Sequence, residues 1–290
     1  MAESAPLCVR SLLFVPGGKA KMINGAVAMA ADAVVVDLED AVAAGEKGGA
    51  RLVAAQTTAV LPDSDRARVL LRVNPVSSPW FEGDIAVVAA SGLSGVVLPK
   101  FESLEQLELV RRRLGESGRA NALVMVGIET ARGVHDCYEL LAGGVDGLYF
   151  GAEDYIADLG GRRSTTGTEA LYARSQVRLA ARLHDVPAID QAVVAVHDEA
   201  KFRLDAGEGR DMGYCGKLCL HPLQVRLANE IFSPTEDEIA HARRVLEAAA
   251  GGAGSLDGEM VDEVHVRMAA AILARSGSEE GIRGTAGGHR

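Results

Sequence analysis

Short apolar runs rich in Val, Ile and Leu alternate along the chain with longer stretches of helical period. The runs are Leu12–Val15, Ala33–Asp37, Val69–Val73, Gly95–Leu98, Leu123–Ile128, Gly147–Phe150, Pro187–Asp190 and Lys217–Leu220. The helical stretches include Glu46–Val60, Ser103–Leu114, Gly133–Leu141, Glu169–Leu183 and Ala195–Leu204. Strand followed by helix, repeated, predicts right-handed crossovers and a parallel sheet. Eight runs is the number that closes a (β/α)8 TIM barrel, an α/β fold, predicted here over residues 10–232. A doubly wound open sheet is the competing architecture. It would normally carry Gly-x-Gly-x-x-Gly after its first strand, and the first turn reads Pro16-Gly17-Gly18-Lys19.

Past the eighth unit the pattern changes. Thr235 with Glu236 and Glu238 marks the start of a capped helix over Pro234–Ala250. Gly251–Ser255 reads as a flexible linker and Met260–Ala274 as a last helix. Residues 233–275 thus form a C-terminal helical extension. Residues 276–290, rich in Gly and polar residues, read as a disordered tail.

Composition narrows the function classes. The chain has 290 residues, 48% of them hydrophobic, ample for one large core. Aromatics make up only 4%, which suits short buried strands under Ala-rich helices. The net charge of −10 and the lack of any Lys/Arg block argue against a nucleic-acid partner. No apolar run approaches the roughly 18 residues of a membrane helix, and Met1–Arg10 has no signal core. Cys8, Cys137, Cys215 and Cys219 form no Cys-x-x-Cys pair, so reduced thiols in a cytoplasmic protein are expected.

The chemistry sits where the apolar runs end. Active sites of barrels lie at the C-terminal ends of the strands. Here those ends read Asp37-Leu38-Glu39-Asp40, Arg72 with Asn74, Pro99-Lys100, Glu129-Thr130, Gly151-Ala152-Glu153-Asp154, Asp190 and His221-Pro222. Barrel closure would aim them at one mouth, with Asp40 a candidate catalytic acid. Carboxylates dominate, which suggests a hard divalent cation, Mg2+ or Mn2+, held by one or two of them plus waters and substrate oxygens. Glu129 and Asp154, on adjacent strand ends, are the pair for that role; otherwise each is a helix N-cap or first-turn acid. Arg72, inside an apolar strand, needs either a substrate anion or a structural acid. His221 reads first as a hydrogen-bonding histidine before a Pro turn.

Several segments resemble the citrate lyase β-subunit family, within the wider group of bacterial aldolases acting on keto acids. They are Arg10–Gly17, Asp32–Val42 with Lys47 and Ala50-Arg51, Leu71–Asn74, Leu98–Lys100, Ile128–Gly133, Gly151–Asp154, Tyr172–Arg174, Gly216–Gln224, Phe232–Pro234 and Gly258–Asp262. They follow the family's order and cover residues 10–275. The resemblance implies a barrel whose C-terminal extension packs on a neighbouring chain, usually in a homotrimer. It implies that Glu129 and Asp154 hold Mg2+, that Arg72 contacts a substrate carbonyl or thioester oxygen, and that Asp262 reaches the next subunit's site as general acid/base. It places Lys19, Lys21, His221 and Pro222 near coenzyme A.

The expected activity is carbon–carbon cleavage of a 3-hydroxy-3-carboxylate CoA thioester, giving an acyl-CoA and a 2-keto acid. The chain departs from the family after Pro16-Gly17, where Lys19 and Lys21 stand in place of an Arg, and after Asp262, where Glu263-Val264 replaces a Pro. Competing functions are a condensing or thioester-hydrolysing enzyme, a citrate lyase β-subunit acting on an acyl carrier protein, a pyruvate-handling aldolase without coenzyme A, and a non-catalytic thioester-binding subunit.

Overall fold

The computed structural model describes residues 9–249, 254–257 and 259–286. The chain divides into two compact units, the first ending at Glu230 and the second beginning at Ile231.

In the first unit eight parallel strands close into a barrel, each paired with its neighbours in sequence and β8 with β1. They are β1 (Ser11–Pro16), β2 (Ala33–Asp37), β3 (Val69–Arg72), β4 (Gly95–Leu98), β5 (Leu123–Ile128), β6 (Gly147–Phe150), β7 (Ala188–Asp190) and β8 (Gly216–Cys219). The expected (β/α)8 barrel is therefore the observed fold. The connecting helices are α1 (Ala20–Val27), α2 (Lys47–Ala59), the single turn α3 (Asp63–Arg66), α4 (Phe81–Ser91), α5 (Leu104–Glu116), α6 (Ala131–Leu141), α7 (Ala152–Asp158), α8 (Thr168–Leu183), α9 (Glu199–Asp211) and α10 (Pro222–Phe232).

Strand side chains alternate between the barrel interior and the helical layer. Leu12, Phe14, Ala33, Val35, Leu70, Val97, Met125, Tyr149, Ile189 and Leu218 form the interior core. This parity decides which strand-end residues can face the mouth. Arg72 lies two residues beyond Leu70 and faces the interior; Asp190, one residue beyond Ile189, faces the helices.

The second unit contains α11 (Glu236–Ala248), a hairpin of β9 (Gly254–Leu256) and β10 (Glu259–Val261), and α12 (Glu263–Ala286). Ala242 and Val245 pack with Val261 and Ala269 in its core. The capping box of Thr235 and Glu238 starts α11, as its sequence predicts. The linker and last helix differ from expectation. Gly254 and Ser255 belong to a strand, and Asp257, at φ 52°, turns the hairpin where Arg244 grips its carboxylate at 2.6 Å. The final helix begins at Glu263 and runs to Ala286, into the stretch read as a tail; residues 250–253 and 287–290 lie outside the described residues.

Candidate active site

Parallel register places Asp37, the last residue of β2, beside Arg72, the last of β3. Nε and Nη2 of Arg72 donate to the two oxygens of Asp37 at 2.7 Å each, a bidentate pair. The Asp37 carboxylate also accepts from the backbone N–H of Glu39 (2.8 Å) and Ala41 (3.1 Å), which curls the following loop back over the strand. Lys47 on α2 braces that loop by donating to the carbonyls of Leu38 and Glu39, and Asn74 Nδ2 donates to Leu38. The structural-acid alternative for Arg72 is thus realised in Asp37. Its remaining nitrogen, Nη1, donates to the Tyr149 hydroxyl (3.5 Å) and lies 2.9 Å from Glu39 Oε2 without a hydrogen bond to it, which leaves one N–H uncommitted; the guanidinium lies 5.2 Å over the Phe14 ring.

Across the barrel, Glu129 follows β5 and is buried. It accepts from the backbone N–H of Lys100 at 2.8 Å. Lys100 holds φ 49°, a left-handed conformation that a non-glycine residue adopts at some cost. The Lys100 ammonium hydrogen-bonds Glu39 and lies 3.4 Å from Asp40 and 3.7 Å from Asp154. Two glycines make room for Glu129. A Cβ at Gly151 would stand 2.4 Å from its Cβ and Oε2, and one at Gly127 would stand 2.4 Å from the Tyr149 hydroxyl and 3.0 Å from Glu129 Oε1.

Five carboxylates (Asp37, Glu39, Asp40, Glu129 and Asp154) therefore meet two cations, Arg72 and Lys100. Burial pushes the Glu39 carboxyl up to about 7 against the pull of Arg72, with Glu129 adding to the rise. Burial likewise raises Glu129, opposed by Arg72, and Asp154, opposed by Lys100. Carboxylates crowded at low dielectric resist ionisation unless a further cation joins them. Among the described residues no three His, Cys, Asp or Glu side chains form a ready-made metal cage. Glu129 and Asp154 could supply the one or two carboxylates needed by an ion that keeps its other positions for water and substrate.

Asp154 sits in the first turn of α7, its side chain 37% exposed, while Glu129 precedes the α6 N-cap, Thr130. Asp40 is at the rim, 54% exposed; Glu39, at 4%, makes the buried contact with Arg72. Lys19 is the N-cap residue of α1 and Lys21 lies in its first turn, both exposed. His221 and Pro222 follow β8, the neighbour of β1, so the four share one sector of the rim. His221 Nδ1 accepts from the N–H of Leu223 at 3.2 Å and its ring stands edge-on to His197.

Asp190 does not join the mouth. It pairs with Arg174 on α8 (2.6 Å) and Lys217 on β8 (2.5 Å), behind the barrel wall, because strand parity turns it outward. Although burial alone would raise it, Lys217 and Arg174 hold its carboxyl below the usual range. Asp262 lies in the second unit, where its carboxylate accepts from the N–H of Val264 and His265 at the start of α12. Sequence reasoning passed over Tyr149, a phenol 1% exposed inside an otherwise apolar four-residue strand. Its signal was that lone hydroxyl in an apolar run; only the structure sets it against Gly127.

A closed parallel barrel with a cluster of charged side chains at the strand C-termini defines the class: a barrel of the kind whose enzymes carry their active sites at that end. The chain matches the HpcH/HpaI aldolase/citrate lyase family over residues 10–222 and belongs to that family. It is 46% identical over 283 residues to the citrate lyase subunit beta-like protein of Deinococcus radiodurans, covering 94% of this chain and 99% of that one. It is 31% identical over 274 residues to a (3S)-malyl-CoA thioesterase of Cereibacter sphaeroides, covering 92% and 94%. Among solved structures, CitE from Mycobacterium tuberculosis, in complex with magnesium, acetoacetate and coenzyme A, superposes with a TM-score of 0.81 at 30% identity, covering 96% of this chain and all of that one. The chain is an enzyme of the aldolase/citrate lyase class. Among the described residues no helix is long and apolar enough to cross a membrane.

Proposed function

We propose that this protein is a Mg2+-dependent carbon–carbon lyase acting on a 3-hydroxy-3-carboxylate CoA thioester, such as malyl-, citramalyl- or citryl-CoA, to give an acyl-CoA and a 2-keto acid. The observation that carries this reading is Glu129 and Asp154 gathered at the barrel mouth beside Arg72 and Lys100. The likeness to a magnesium and coenzyme A complex supports it.

Glu129 and Asp154 would hold the metal, which supplies Lewis acidity and a template for the substrate carboxylate and 3-oxygen. Arg72, with two nitrogens fixed by Asp37, presents Nη1 to the thioester oxygen as negative charge develops there. A base removes the 3-hydroxyl proton; the C2–C3 bond breaks; its electron pair becomes the thioester enolate while C3 becomes a carbonyl. A proton returned to C2 gives the acyl-CoA. We assign the base to Asp262 of a neighbouring subunit in a homotrimer. Its carboxylate accepts from the N–H of Val264 and His265, which fixes its position at the start of α12. Lys19, Lys21, His221 and Pro222 line the sector assigned to coenzyme A. The apolar core and the thiols Cys137, Cys215 and Cys219, which form no disulfide, suit a cytoplasmic setting.

The likeness to a malyl-CoA thioesterase favours a second reading, hydrolysis of the thioester at the same site. The test is a screen of the three thioesters with and without Mg2+, trapping the keto acid and titrating free thiol. A trapped keto acid that depends on Mg2+ supports cleavage; free thiol with intact hydroxy acid supports hydrolysis; neither product overturns the proposal. Calorimetry of Glu129→Ala and Asp154→Ala tests the metal assignment, which fails if both bind Mg2+ as the wild type does.

A further inference from the structure

Tyr149 is the interior residue of β6 nearest the mouth, and its ring packs edge-on to Phe14 with centroids 5.7 Å apart. Its hydroxyl occupies the space left by the missing side chain of Gly127. There it accepts from Arg72 Nη1 at 3.5 Å. A guanidinium has no acceptor, so the single phenolic proton is free to go the other way. The carboxylate beside it is Glu129, which also accepts the Lys100 N–H: a Cβ at Gly127 would stand 2.4 Å from the Tyr149 hydroxyl and 3.0 Å from Glu129 Oε1. The result is a line of polar groups, Arg72 to Tyr149 to Glu129. It joins the cation assigned to the thioester oxygen with the carboxylate assigned to the metal.

We propose that Tyr149 is a positioning residue for this reaction, one that rests on the reading of Glu129 as a metal ligand and Arg72 as the oxyanion contact. Its hydroxyl orients the Glu129 carboxylate so that the oxygen not held by Lys100 is presented to the ion. It also fixes the distance between that ion and Arg72. A ring that served packing alone would need no hydroxyl, no glycine beneath it and no partner on either side.

The test is Tyr149→Phe in the full chain, which keeps the ring and removes one oxygen. Partners that orient metal ligands typically set affinity by 10–100-fold. The expected result is a Kd for Mn2+ alone, read by electron paramagnetic resonance without substrate, that rises about tenfold. With saturating metal, kcat should fall while KM for the thioester changes little. Thermal unfolding in EDTA serves as the structural readout. A lowered melting temperature with unchanged Mn2+ affinity and unchanged kcat would show a packing role and overturn the inference. Glu129→Ala separates the two levels of the claim. If Glu129→Ala loses Mn2+ and Tyr149→Phe keeps wild-type affinity and kcat, Tyr149 is not a positioning residue. If Glu129→Ala itself binds Mn2+ as the wild type does, the metal assignment falls, and this inference with it.

Discussion

Glu39 offers a test of the mouth's electrostatics that needs no substrate. Its carboxyl is driven up to about 7 from an ordinary 4.5, chiefly by burial, although Arg72 and Lys100 both oppose the rise. Below pH 4.5 both folded and unfolded chains hold this proton. Between 4.5 and 7 the folded chain keeps a proton that the unfolded chain has released, so the unfolding free energy falls as pH rises; above 7 the loss is complete. A shift of this size corresponds to about 3 kcal/mol at 1.36 kcal/mol per unit, of which about 2.5 kcal/mol falls between pH 5 and pH 8. Glu39→Gln removes the titration while keeping the shape. Arg72 and Lys100 stay charged throughout that range, so their lost partner adds an offset that does not vary with pH. The assay is urea unfolding in EDTA, followed by the fluorescence of Trp80, the only tryptophan, which lies 5.4 Å beneath the Lys47 ammonium in the barrel unit. The variant should gain about 2.5 kcal/mol relative to wild type on going from pH 5 to pH 8. A difference that is flat within about 0.5 kcal/mol, or that runs the other way, refutes the reasoning.

Three further outcomes are expected. Arg72→Lys keeps the charge but loses the fork that grips Asp37 and presents Nη1, so kcat/KM should fall about 10²- to 10³-fold with the fold intact, as circular dichroism and kinetics will show. Lys217→Met leaves Asp190 and Asp205 short of a cation behind the barrel wall, which should cost about 3 kcal/mol in urea unfolding with Mn2+ affinity unchanged, since that network stands apart from the mouth. Mixing inactive Asp262→Ala with inactive Asp154→Ala, then unfolding and reassembling them, should restore a fraction of activity; verified mixed oligomers with none would show that Asp262 does not serve a neighbouring site.

The eight strands were legible in the sequence because each is a short apolar run buried on both faces. Val34, Val35 and Val36 are all inaccessible, so no polar alternation hides the strand. The charged strand ends were legible for the same reason: a charged residue stands out at the end of an apolar run, although the run does not say which side of the wall it takes. The β9–β10 hairpin was not. Its strands are three residues each, and Gly-rich sequence suits a linker as readily as a turn. Nor could the sequence rank Glu39 against Asp40, or separate Asp190 from the mouth residues. Those outcomes depend on which way a side chain leaves the barrel wall, set by strand parity and by the Asp37 hydrogen bonds that curl the loop after β2. Local pattern and motif order were enough for the barrel, its family and the acid-rich rim. Which acids meet Arg72, and the place of Tyr149 beside Arg72 and Glu129, came from folding in three dimensions, because those contacts join residues up to 77 positions apart and exist only once the barrel closes.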